Sequence, residues 1–247
     1  MRRYSRVMDE ERLVQPGLST IYTGKNPLID IIAVDGPDED VFESFTSKNG
    51  TFWLEDKDML PKDIPSCRIL TFRYSTSHYS DPAIVLVEDL VADRDEISKR
   101  RPIIFLCHSS GGTLVRDALA YSESHEGREK RTESTRSICV STFGLLLFDD
   151  GSLLKTGLKL LQIIPNNFQK FCDHIASEAP YSSADSRSED ISEILGYNRI
   201  TEEHQDKCKF SSRASSGYKK AVQTLLQYSD EASRAIPYRW EVKGYGS

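Results

Sequence analysis

Two rhythms of apolar residues run along this chain. Short, nearly continuous apolar runs bounded by turn residues alternate with stretches where apolar residues recur every three or four positions. Ile29–Val34 (Ile-Asp-Ile-Ile-Ala-Val) is closed by Asp35-Gly36-Pro37, the pattern of a central strand covered on both faces. Leu18–Tyr22, lying between Pro16-Gly17 and the turn Gly24–Pro27, has strand composition. Arg68–Phe72, Pro102–Cys107 and Ile138–Phe143 read as three further strands. Between them, Ile84, Val87, Leu90, Val91 and Ile97 follow Pro82 at helical spacing, and Leu114, Val115, Ala118, Leu119 and Tyr121 follow Gly111-Gly112. Strands alternating with helices predict an α/β fold with a mostly parallel sheet.

The second half changes character. Leu153–Ile164 and Phe168–Ile175 have helical periodicity, and residues 179–203 are rich in Ser, Asp and Glu without a four-residue apolar run. That composition predicts a flexible loop. Gly217–Ala235 returns to helical spacing. The expected organisation is a charged lead-in over 1–16, one domain over 17–235 and a tail over 236–247.

Composition narrows the function classes. The 247 residues carry 32 Lys and Arg against 38 Asp and Glu, a formal charge of −6, with mean hydropathy −0.47. A mildly acidic chain lacks the basic face of a nucleic-acid binder. The longest nearly apolar run, Ile138–Phe148, is too short to cross a membrane. The start of the chain is charged and has no apolar signal-peptide core. Five scattered cysteines, Cys67, Cys107, Cys139, Cys172 and Cys208, form no CxxC pair, which fits reduced thiols and a cytoplasmic location. No Walker or dinucleotide glycine pattern is present. Asp35–Asp40 matches no EF-hand spacing and reads as a solvated loop. Neither cofactor nor metal is expected.

The richest stretch is Cys107-His108-Ser109-Ser110-Gly111-Gly112, directly after one strand and opening a helix. A nucleophile elbow needs this context: a sharp turn lifts a serine hydroxyl out of the sheet, and small flanking residues allow it. The expectation is a strained backbone at Ser109. The helix N-terminus and the Ser110 amide would face developing negative charge.

Residues 102–112 (Pro-Ile-Ile-Phe-Leu-Cys-His-Ser-Ser-Gly-Gly) resemble the RPIIFxGHSLGG elbow of the serine esterase, lipase-like family of α/β hydrolases. In fungi such domains often stand N-terminal to NACHT or ankyrin-repeat segments. Phe45–Leu70 resembles the family's W-T-x-K-N-G…W…L-L-P-K-D-L-P block. Ile194–Tyr197, His204–Phe210 and Gly217–Lys220 resemble its C-terminal block, where the catalytic His precedes C-K-F. The resemblance implies an α/β-hydrolase-like domain acting on a small-molecule or lipid ester. It makes Ser109 the nucleophile, His204 the base, and Ser110 and Gly36 the oxyanion-hole positions. No motif selects the triad acid among Asp185, Glu189 and Asp190; Asp190 is the position taken here.

The chain departs from the pattern in three places. The His-Gly-Leu oxyanion motif reads Asp35-Gly36-Pro37, and proline has no N–H to donate. The family's Gly-Thr-Pro-His reads Ser141-Thr142-Phe143-Gly144, and nothing strand-like precedes His204 where two more strands are usual. An impaired relative kept as a binding or signalling module is therefore the second expectation.

Overall fold

The computed structural model describes residues 16–75, 80–123, 129–148 and 208–242. Five strands form one sheet: β1 (Gly17–Thr23), β2 (Ile29–Val34), β3 (Cys67–Arg73), β4 (Ile103–His108) and β5 (Thr142–Phe148). Their order is β1-β3-β2-β4-β5, with only β1 antiparallel to its neighbour. The helices are α1 (Val41–Phe45), α2 (Leu60–Asp63), α3 (Pro82–Asp93), α4 (Gly111–Glu123), α5 (Glu129–Ser141) and α6 (Ser216–Val242). This is the mostly parallel α/β architecture that the alternating pattern implies.

Both faces of the sheet are covered, so β2 is buried at all six positions. Ile29, Ile31 and Ala33 pack on one side with Trp53, Phe210, Tyr218 and α6. Ile32 and Val34 pack on the other with Leu86, Val87 and Leu90 of α3 and with Leu114, Val115 and Ala118 of α4. Period-two alternation thus sends successive β2 side chains into two separate cores. Asp40 and Asp81 cap α1 and α3, each accepting a backbone N–H at 2.9 Å.

The start of β2 also carries a charge. Asp30, fully buried, accepts from Arg68 (3.0 and 3.1 Å), Arg94 (2.6 Å) and Arg101 (3.0 Å). Arg94 also donates to the carbonyls of Lys99 and Arg101. Three guanidinium groups thereby join β2, β3 and the segment between α3 and β4.

Several expectations need correction. Ile138–Ser141 end helix α5, and the strand begins at Thr142. The Thr142 hydroxyl donates to the Ile138 carbonyl at 2.8 Å, one helical turn back. The helix after Pro82 stops at Asp93, leaving Ile97 88% exposed. Residues 236–242 are the end of α6 rather than tail, and they bury Ile236 and Trp240. Cys67, Cys107, Cys139 and Cys208 are buried and form no disulfide among the described residues, as expected. No helix among the described residues is long and apolar enough to cross a membrane. The lead-in over 1–15, the helical patterns Leu153–Ile164 and Phe168–Ile175, the loop over 179–203 and Cys172 lie outside the described residues.

Candidate functional site

Parallel pairing of β2 with β4 puts Val34 opposite Cys107. The next residue on each strand, Asp35 and His108, therefore emerges at the same edge. At that edge Ser109 takes φ 52°, a left-handed conformation that L-residues other than Asn and Asp seldom adopt. The chain turns sharply there from β4 into α4, whose first residue is Gly111. A Cβ at Gly111 would lie 2.4 Å from the Val34 carbonyl oxygen, so only glycine permits α4 to begin so close to β2. The Ser110 carbonyl accepts from Thr113 and Leu114 at 3.0 and 3.2 Å, starting the helix immediately after Ser109. The strained turn expected at Ser109 is present, with the α4 N-terminus directly behind it.

Three polar side chains surround the turn. His108 Nδ1 lies 2.8 Å from Asp35 Oδ1. The Ser109 hydroxyl donates to Glu39 Oε1 at 3.3 Å. The Gly36 N–H donates to Asp35 Oδ1 at 2.8 Å and to Glu39 Oε2 at 3.3 Å. Glu39 reaches back because Asp38 has φ 59° and its N–H is held by the Tyr74 carbonyl at 3.0 Å.

Asp35 is 1% exposed, so the reading of 35–40 as a solvated loop fails at Asp35 and Gly36, while Asp38 and Glu39 are exposed as expected. Burial, the largest single influence, would raise its carboxyl, but the hydrogen bonds with His108, Glu39 and Ser44 and the charge of His108 together outweigh it and hold Asp35 below the usual carboxylate range. Burial likewise opposes charge on His108, yet Asp35 and the Cys208 sulfur together push the imidazole up to about 10. Contact with Asp35, then burial, raises the Glu39 carboxyl. The Asp35 charge is thus answered by an imidazolium, and Glu39 is the carboxylate that meets the serine. Asp35, Glu39 and His108 offer ligand atoms within 4.8 Å of one another. A metal ion held there would have to displace the proton that His108 shares with Asp35.

The pair makes stability depend on pH in a defined sense. His108 contributes fully below its unfolded value near 6.5, and the contribution fades as pH rises toward about 10. Asp35 contributes above its ordinary 3.8 and loses its share as pH falls through its lower folded value. Urea midpoints are expected to drop between about pH 6.5 and pH 10, and His108→Asn to flatten that decline. An equally steep decline in the variant would contradict the assignment.

Of the residues expected at the site, Ser109, Ser110 and Gly36 are brought together, while His204 and Asp190 lie outside the described residues. The Cys208 carbonyl accepts from Trp53 Nε1 at 2.6 Å, and the Cys208 sulfur lies against His108. Phe210 and Tyr218 then pack on Trp53, with ring centroids 5.1 and 5.8 Å away. The Trp53 block and the Cys208–Phe210 block, far apart in sequence, therefore meet next to the elbow. Sequence reasoning missed Glu39 and the pairing of Asp35 with His108. A groove of about 380 Å³ lined by Asp63, Arg213, Tyr218 and Val222 shares no residue with this cluster. Comparison of the sequence with models of known protein families and with curated proteins finds no match.

Proposed function

We propose that this chain is a serine ester hydrolase of α/β-hydrolase type with Ser109 as nucleophile. The observation that carries the reading is the Ser109 turn: φ 52° between a buried parallel strand and a helix that only Gly111 lets in so close. The strand order, with β2 and β4 adjacent at the centre, agrees with it. The Ser109 oxygen would attack the ester carbonyl, its proton passing to His204 and then to the departing alcohol. Water, deprotonated by the same His, would cleave the acyl-enzyme and return the proton to Ser109. Asp190 remains the acid proposed from sequence. Ser110 offers its amide to the oxyanion, and Gly36 offers a second only after giving up its two carboxylate partners.

A specific observation also favours the impaired-module reading. Glu39 occupies the Ser109 hydroxyl and the Gly36 amide together, and the next residue, Pro37, has no N–H. Chromogenic esters of short acyl chains separate the two. A hydrolase is expected to turn them over well above the uncatalysed rate, whereas a module without catalysis leaves that rate unchanged.

A further inference from the structure

Glu39 bridges the groups a substrate would need. Its two oxygens take the Ser109 hydroxyl and the Gly36 N–H, both at 3.3 Å. An ester carbonyl in position for attack must come within about 3–3.5 Å of the same hydroxyl. Carboxylate and substrate therefore cannot both be there, and Glu39 must swing aside. Its side chain is 43% exposed and free to do so.

What would draw it away is set by the surrounding charge. Asp35, Asp38, Glu39 and Asp40 crowd one short loop. Among the described residues, His108 pairs with Asp35 and Arg73 lies 3.8 Å from Asp40. Among the described residues, His108 Nδ1 lies 3.9 Å from Glu39, and that nitrogen is already committed at 2.8 Å to Asp35. Tyr74 lies beside the same loop: its ring stacks on Phe72 at 6.0 Å, and its hydroxyl bonds to Ser110 within the field of Asp35, Glu39 and Asp38. Carboxylates beside an aromatic ring suit an ammonium group.

Resting on the nucleophile reading, we infer that Glu39 determines specificity, and that the preferred substrate is an ester whose alcohol carries an amine or quaternary ammonium a few bonds from the ester oxygen. Such a cation offers Glu39 a partner away from Ser109 and opens the nucleophile. A neutral ester offers Glu39 no such partner.

The test uses two methylphosphonothioates with the full chain. One thiolate leaving group ends in trimethylammonium, and the other in the isosteric neutral tert-butyl group. In each, the bond from Ser109 Oγ to phosphorus forms, the phosphorus–sulfur bond breaks, and the serine proton leaves with the thiol. Wild type is expected to react about tenfold faster with the cationic reagent, the scale of one partly desolvated cation contact. Glu39→Gln should bring that ratio close to one. Glu39→Asp, which keeps the charge but falls short of Ser109, should speed the neutral reagent. Labelling of wild type with no cation preference, or a preference that survives Glu39→Gln, overturns the inference and leaves the nucleophile reading intact. No labelling by either reagent, in wild type or in Glu39→Ala with an unchanged melting temperature, overturns both.

Discussion

Ester turnover is expected to fall by on the order of 10⁴-fold in Ser109→Ala, the scale on which removing one member of a nucleophile–base unit disables the whole unit. The fold should survive. Among the described contacts, the Ser109 hydroxyl makes one side-chain hydrogen bond, at 3.3 Å to Glu39. Alanine bears the φ of 52° no worse than serine does, since both are L-residues with a Cβ. Loss of activity with an unchanged melting temperature therefore separates a chemical role from a structural one. Turnover that persists in the variant would place the chemistry elsewhere. Ser109→Gly would relieve the backbone strain while still removing the oxygen, so it should be as inactive as Ser109→Ala and at least as stable.

The second large effect concerns the fold. Asp30→Ala is expected to cost about 3–5 kcal/mol, because removing one partner of a buried ion cluster leaves the others uncompensated. Arg94 is the most exposed to this loss. Its side chain is 1% accessible, and burial already pulls its guanidinium down to about 10 against the support of Asp30. The effect is read as a shift in urea midpoint at constant slope. Asp30→Asn should rank between wild type and Ala, since an amide oxygen can still accept from Arg68 or Arg94. A loss under about 1 kcal/mol for Asp30→Ala would put the cluster in the class of solvent-screened surface pairs.

The parts of the fold legible in the sequence are those set by local pattern. Ile29–Val34 announced a doubly covered strand, and Cys107–Gly112 announced a strand turning into a helix; the backbone adopts both. Ile138–Phe143 misled because an apolar run reads the same for the buried end of a helix as for a strand. Here the i to i−4 bond from Thr142 to Ile138 places the boundary. The extension of α6 past Pro237 was illegible for a different reason. Proline ordinarily ends a helix, but Trp240 Nε1 donates to the Ser141 hydroxyl at 3.2 Å, and Arg239 Nη1 to the Thr142 carbonyl at 2.6 Å. Those contacts to distant residues keep the last turn in place.

At the site the same division holds. Ser109 could be singled out because its turn is local. The pairing of Asp35 with His108 requires knowing that β2 and β4 are parallel neighbours in register at Val34 and Cys107. Once that adjacency is granted, residues one step further along each strand must meet. Glu39 depends on the left-handed Asp38, a conformation that no motif in Asp35–Asp40 specifies. From sequence, Asp35-Gly36-Pro37 suggests only an oxyanion hole short of one amide. The charge at Asp35 is neutralised by His108, and Glu39, four residues on, is the carboxylate at the serine.

The central claim is that Ser109 is a base-activated nucleophile, and the most direct measurement is covalent capture by a small uncharged fluorophosphonate, followed by peptide mapping. One adduct per chain is expected, located on the peptide containing Ser109, absent from Ser109→Ala and formed faster in Glu39→Ala, because only an activated serine reacts quickly with such a probe. An adduct on another residue, or none in Glu39→Ala whose fold is intact, would contradict it.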